Sequence, residues 1–496
     1  MRNSRRSPIN KLIKEYDIKK EELEHIAQSL KATSDEVLNI EELLHLTKSI
    51  NSKFSNIIGG QVDSKVSLDT IDLDPTRILN SLKIMIGHSQ RSTSDTSLGL
   101  TNILYISLIL LSLEDKTVPF IIQKDSYMKL LTEQGSEILY QCYKENENGK
   151  YLLKDQISDS DYSNLYTFME DNAASNKGFT ILAIEEPESH LHPALQRVIY
   201  KDVMKNDTSI LMTTHSPYIT SVAPLESIVH LRSSNQGTTV KTTASLNLND
   251  RDRKDLARYI DVKKGEIYFG KGVILVEGVA EEYLVPRFAE LLNQPLDDKG
   301  LICCNINSTN FKPYVQYLNA LGIPYVVITD GDYYHRHSVG SEKMFGDTLE
   351  KKHSYIGYDG LDRAEKLLVE LEEINEDAVP LEFESQDEFF KQYSFFIGDY
   401  TLETDIMDIS KDNNSLEVII QLFEELTVGG DEHKRNFKDA LHEGDYSACL
   451  RKIESAHSKI GKGRFSQVLS MECTKNNIPD YIKNAIETIY AKVDEI

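Results

Sequence analysis

No run of about eighteen apolar residues occurs in the 496-residue chain, so no segment is expected to cross a bilayer as a helix. The longest apolar stretch, ILYISLILLSL (103–113), is too short for that and reads as a buried helix. The first residues, MRNSRRSPINKL, are basic but lack the apolar core of a signal peptide. Cysteine is scarce: Cys142, Cys303, Cys304, Cys449 and Cys473 have no metal-ligand spacing, and Cys303–Cys304 lies in a strand-like apolar run. Buried thiols and a reducing, cytoplasmic location are the expectation. Internal repeats and low-complexity tracts are missing too. So is the phosphate-cradling pattern G-x-x-x-x-G-K-[ST]; an imitation, GGQVDSKVS (59–67), has the wrong spacing and no helix behind it.

Positive charge is also in short supply, with 55 Lys and Arg against 79 Asp and Glu, a formal net charge of -24. A surface of that sign repels phosphates, which weighs against nucleic acid as a partner. The imbalance is local, however. Residues 361–390 carry eleven acids against two bases, whereas residues 1–20 carry seven bases against two acids. Basic patches able to hold DNA therefore remain open.

The length suggests two to four domains. Residues 9–57 read as two polar helices, with EELEHIAQSL and EELLHLTKSI at three-to-four apolar spacing. The polar stretch 142–178 reads as a surface insertion. FTILAIEE then forms a buried strand, 194–204 a helix and SILMTTH a second strand, with Pro193 and Pro217 in first helical turns. Beyond a hairpin and linker helix within 233–265, the alternation restarts: GVILVEG strand, 280–292 helix, LICCNI strand, 311–321 helix, YVVITDGD strand. Both stretches predict α/β architecture with largely parallel sheets.

The first strand ends in Glu185 and Glu186, followed by Pro187; thirty residues on, TTHSP puts His215 at the end of the next. Parallel sheets bind ligands at such ends. Paired acids there suit Mg²⁺ and a water attacking a γ-phosphate. This stretch resembles the ATP-binding-cassette ATPases of the chromosome-maintenance and RecF type. The resemblance implies a Mg²⁺-associated Glu185, a catalytic Glu186, a D-loop at Ser189–His192 and a switch His215. Ser97-Leu-Gly99, opening a long helix, resembles the signature motif that contacts nucleotide held by an opposite subunit, which implies ATP-sandwich dimers. Family members carry the phosphate loop N-terminal to these motifs, and SRRSPINKL resembles sequence from inside such chains. The expectation is a chain that starts partway through the ATPase fold: a fragment, a mis-started reading frame or half of a split enzyme.

The second alternation carries its own acids. Glu277 ends VILVEG, Glu281 stands in the first turn of the next helix, and VVITDGD ends in Asp330 and Asp332 around Gly331. Three or four convergent carboxylates suit hard divalent cations, and two such ions serve phosphodiester hydrolysis. This set resembles the Toprim domain, and an ATPase followed by Toprim resembles the OLD (overcoming lysogenisation defect) family of ATP-dependent endonucleases. The resemblance implies Glu281 as a second acid, a metal-site Glu403 in TLETD (401–405), and a transition-state-stabilising Lys462 in GKGRFSQ (461–467), with Arg464 as its alternative.

The fold class expected is therefore α/β: a helical dimerisation segment (1–65), the C-terminal portion of an ABC-type ATPase (66–245), a linker (246–265) and a Toprim domain with helical additions (266–496). The resemblance implies a DNA endonuclease using two Mg²⁺ or Mn²⁺, with ATP binding incomplete in this chain. Its partners would be DNA, further copies of itself, and a helicase-like or phosphate-loop-bearing protein. The Gabija anti-phage nuclease subunit has the same two-module plan, which implies a defence role. Two other readings stand beside it: a clamp-like or nucleotide-sensing ATPase without cleavage, and a topoisomerase-like enzyme, for which no tyrosine is marked out among 25.

Overall fold

The computed structural model describes residues 40–58, 65–69, 83–172, 181–204, 209–234, 237–262, 264–336, 344–345 and 355–495, together with Ile9 and Leu12. The first of the two helices expected before residue 57, and most of GGQVDSKVS, lie outside these residues. The chain divides into two units, Met1–Val222 and Ala223–Ile496.

In the first unit, helix α1 (Glu41–Ile58) presents Leu43, Leu46, Ile50, Phe54 and Ile57 on one face. Strands β1 (Val66–Asp69), β2 (Lys83–Ile86) and β3 (Arg91–Ser92) make an antiparallel sheet. Helix α2 (Leu98–Leu113), the apolar helix read from sequence, buries Ile103, Leu104, Leu108 and Leu110 in the same core as α1. The supposed surface insertion is instead a small folded layer. Strands β4 (Ile121–Ile122), β5 (Tyr143–Glu145) and β6 (Tyr151–Leu153) form one sheet. Helix α3 (Asp159–Asn172) closes it, and Tyr127, Leu139, Cys142, Tyr143, Leu165, Phe168 and Met169 share a core of their own. The Asn, Asp and Ser content hid that core because Leu165, Phe168 and Met169 recur at helical spacing among polar neighbours.

Strand β7 (Ile181–Glu185), helix α4 (Pro193–Val203) and strand β8 (Ser209–Thr213) complete this unit, β7 and β8 pairing in parallel from Ile181↔Ser209 to Glu185↔Thr213. One face of the pair packs through Leu182, Ile184, Ile210 and Met212. The other is open, with Ile181 60% and Leu211 65% exposed.

The second unit begins with a hairpin, β9 (Val229–Ser234) and β10 (Gly237–Thr242). Helix α5 (Asp250–Val262), within the expected linker, buries Leu256, Tyr259 and Ile260 in this unit's core. The centre is a parallel sheet of β11 (Gly272–Val276), β12 (Leu301–Asn305), β13 (Tyr325–Thr329) and β17 (Phe395–Ile397), in the order β12-β11-β13-β17. Strands β14 (Tyr333–Arg336), β15 (Met344–Phe345) and β16 (Tyr355–Tyr358) form a side sheet. Ile274 and Val276 face one core, Val273 and Leu275 another, as a sheet covered on both faces requires. The cover includes α6 (Val279–Leu291), α7 (Lys312–Leu321), α8 (Asp359–Glu370), α9 (Leu402–Asp412), α10 (Lys462–Glu472) and α11 (Asp480–Asp494). All five cysteines are buried and unbridged. No helix among the described residues is long and apolar enough to cross a membrane.

Candidate metal and nucleotide sites

At the end of β7 the chain turns sharply, with Glu186 in left-handed backbone at φ 43°. Its N–H donates to the Thr213 carbonyl oxygen at 3.0 Å, which ties it to the end of β8. His215 Nε2 lies 3.6 Å from Glu186 Oε1, and the His215 N–H donates to Glu188 Oε1 at 2.7 Å. Ser189 Oγ donates to Glu186 Oε2 at 3.4 Å. Glu185 stands exposed at the strand end.

Ser97 caps α2, its hydroxyl accepting the Leu100 N–H at 3.4 Å. Gly99 is there because nothing larger fits: a Cβ would lie 2.4 Å from the His190 carbonyl oxygen. Asn102 donates to the Ser189 carbonyl oxygen at 3.0 Å. The structure thus joins Glu186 to His215, and the Ser97–Gly99 segment to Ser189–His192.

In the second unit the acids converge because β11 and β13 are neighbours, Val276 lying opposite Ile328. Glu277 and Asp330 therefore leave the sheet side by side. Glu277 Oε1 accepts from the Thr329 hydroxyl and from the Asp330 N–H at 3.1 Å. Gly331 passes so close to the loop after β17 that a Cβ would sit 2.0 Å from the Gly398 carbonyl oxygen. Asp332, at φ 48°, then turns away, its N–H donating to the Tyr400 carbonyl oxygen at 3.0 Å.

Glu281, at the start of α6, is 6% exposed and accepts the Gly278 N–H at 3.0 Å. Asp330 Oδ1 accepts the Leu402 N–H at 3.1 Å, which sets the start of α9 beside it. The next residue, Glu403, is 2% exposed, and its Oε1 is buried without a hydrogen-bond partner. Helix α10 packs on α6, with Gly463 against Val279, and so brings Lys462 Nζ to 3.6 Å from Glu403 Oε2 and 3.9 Å from Glu454 Oε1.

So much buried acid is electrostatically costly. Burial, then Glu403 and Glu277, push the Glu281 carboxyl up to about 7. Burial, then Glu281, Glu277 and Glu403, hold Asp330 well above the usual carboxylate range. Glu277 is raised by burial, against the pull of Thr329 and Arg363. Burial works against the Lys462 charge, yet Glu403, Asp330 and Glu454 outweigh it and keep this ammonium protonated above its ordinary value. Asp405 behind them, raised to about 8 by burial and Asp399, accepts the N–H groups of Asp399 and Tyr400.

The domain model for the Overcoming lysogenization defect protein-like TOPRIM domain matches residues 268–332, and that of the AAA domain, putative AbiEii toxin, Type IV TA system, matches 151–221. The solved C-terminal region of the Burkholderia pseudomallei OLD protein is 30% identical over 45% of this chain and 99% of its own, with a TM-score of 0.35. Residues 268–332 thus match a Toprim domain of the OLD type, and residues 151–221 an AAA-type domain. The OLD nuclease of Thermus scotoductus is 30% identical over 30% of this chain and 30% of its own length. Endonuclease GajA of Bacillus cereus is 27% identical over 32% of this chain and 27% of its own. The chain thus spans less than a third of the length of these curated relatives.

One residue in contact with these acids was invisible in the sequence. Arg363, on α8, donates to Asp332 Oδ2 at 2.7 Å, Asp359 Oδ2 at 2.9 Å, the Asp330 carbonyl oxygen at 3.0 Å and Glu277 Oε1 at 3.3 Å. Its only local signal is the Asp359–Arg363 spacing of four in YDGLDRAEKLL, an ordinary helix pair. Among the described residues, no three Asp, Glu, His or Cys side chains stand at metal-binding spacing in this arrangement. The donor set still suits a hard divalent cation: oxygens only, crowded, buried, with one Glu403 oxygen lacking any partner.

Proposed function

We propose that the protein is a divalent-cation-dependent DNA endonuclease of the OLD type, with its ATPase part acting as a dimerising, nucleotide-responsive module. The observation that carries this reading is the approach of Glu277 and Asp330, at the adjacent ends of β11 and β13, to Glu281 and Glu403 in the first turns of α6 and α9, with Lys462 beside them. Glu277, Glu281, Asp330, Asp332 and Glu403 would hold Mg²⁺ or Mn²⁺. When bound, such ions supply water activation and charge stabilisation for phosphodiester cleavage. Lys462 would stabilise charge developing on the phosphate. Glu185, Glu186, His215, Ser97 and Gly99 would serve a nucleotide completed by a phosphate loop from a partner polypeptide or another segment. A cytoplasmic role in anti-phage defence fits this plan.

One observation favours a second reading, a clamp-like ATPase without cleavage: Arg363 already occupies Glu277 and Asp332. Plasmid nicking separates the two. Wild type with Mg²⁺ or Mn²⁺ should convert supercoiled plasmid to nicked circles that persist, and Asp330→Ala should abolish this while DNA binding survives, since phosphate contacts come from Lys and Arg. No nicking by the wild type would favour the clamp reading, full nicking by Asp330→Ala would remove this acid cluster from cleavage, and resealed circles would indicate a topoisomerase.

A further inference from the structure

We propose that Arg363 is a displaceable counterion: divalent cations expel its guanidinium from the Toprim carboxylates, and it then grips a phosphate of the DNA strand in the cavity beside it. This rests on the nuclease reading and adds a step by which metal binding switches on DNA binding.

The first half follows from shared oxygens. A single guanidinium spans Glu277, Asp332 and Asp359, and two of those carboxylates are also the proposed cation ligands. Glu277 Oε1 accepts from the Thr329 hydroxyl, the Asp330 N–H and Arg363 at once. A cation taking that oxygen competes directly with Arg363. Two positive groups in one buried acid cluster also repel, so the weaker-held one leaves.

The second half follows from where the guanidinium can go. Arg363 also lines a cavity of about 230 Å³ with Lys312, Lys366, Thr309, Asn310 and Thr329. Lys312 is paired with Glu370 at 2.7 Å, which leaves the cavity with three cations against that acid. Beside the Glu370 carboxylate its lining offers the Lys312, Lys366 and Arg363 donors, which suit a phosphodiester, and the guanidinium fork matches two phosphate oxygens. Arg363 Nε is buried without a hydrogen-bond partner, so the present pose leaves part of the fork unused. A residue that is purely a structural strut would have no reason to sit between an acid cluster and a basic cavity.

Reciprocity then makes the inference testable: if cations free Arg363 for DNA, cations and DNA must tighten each other's binding through it. The full chain is titrated with Mn²⁺ alone by calorimetry, and with a fluorescent duplex in EDTA or in Ca²⁺ by anisotropy. Arg363→Met should bind Mn²⁺ on the order of tenfold more tightly, since no ion pair must be broken. It should also lose the Ca²⁺-dependent gain in duplex affinity. Lys312→Ala with Lys366→Ala, which leaves the carboxylates untouched, should lower the Ca²⁺-dependent duplex affinity and leave Mn²⁺ affinity unchanged. That pair decides the matter if Arg363→Met fails to fold by circular dichroism. Unchanged or weaker Mn²⁺ binding by folded Arg363→Met, a Ca²⁺ gain that survives in that variant, or a Ca²⁺ gain undiminished in the lysine variant, overturns the inference alone. A wild-type chain that binds no Mn²⁺ overturns the nuclease reading as well.

Discussion

The ends of β7 and β11 are written alike, ILAIEE and VILVEG, and the fold treats them differently. β7 pairs with β8 in a two-stranded sheet whose outer face leaves Ile181 and Leu211 in solvent. β11 is central in a four-stranded sheet, with all five of its residues buried. The acids after β7 stay exposed, with His215 and Ser189 beside Glu186. Those after β11 are enclosed, and Arg363 and Lys462 stand among them as counterions. The same sequence pattern therefore becomes a buried acid cluster where the sheet around it is wide enough to exclude water.

The largest effect expected from this contrast is at Lys462. Lys462→Ala should slow nicking roughly 10²–10³-fold, as loss of one transition-state stabiliser does. Mn²⁺ binding should remain, which calorimetry can verify; loss of Mn²⁺ would reduce Lys462 to a structural counterion of Glu403. A moderate effect separates the two strand ends. Glu281→Gln should stabilise the metal-free protein by about 1 kcal/mol by relieving carboxylate repulsion, a melting shift of about 2–4 °C in EDTA. Its exposed counterpart Glu185→Gln should stay within about 0.5 kcal/mol of wild type. Equal shifts for both would remove burial as the distinguishing cause. The smallest effect is at Glu186. Because the 496 residues contain no G-x-x-x-x-G-K-[ST], Glu186→Gln should leave ATP turnover by this chain alone at the same negligible level. Robust wild-type turnover would contradict this.

Sequence made the strand ends legible because they are local. Alternating apolar strands and helices identified both α/β stretches, and Glu277, Asp330 and Asp332 stood out at strand termini. The convergence of Glu403 came only with the family resemblance, since α9 approaches β13 through a contact spanning 72 residues, Leu402 N–H to Asp330. Arg363 was hidden for the same reason: its partners are set by α8 folding back over the sheet, not by spacing. The layer at 121–172 was misread because its apolar positions are diluted by polar ones, and composition averages that periodicity away. Placement of Gly99 against His190 likewise depends on packing between elements more than 80 residues apart.

The central claim is that the acids of the second unit form one cation site. Mn²⁺ titration of the wild type and Asp330→Ala, followed by electron paramagnetic resonance in the absence of DNA and nucleotide, tests it most directly. About two tightly held Mn²⁺ per chain are expected in the wild type, with at least one lost in Asp330→Ala. Identical binding curves for the two proteins, or no tight binding by either, would contradict it.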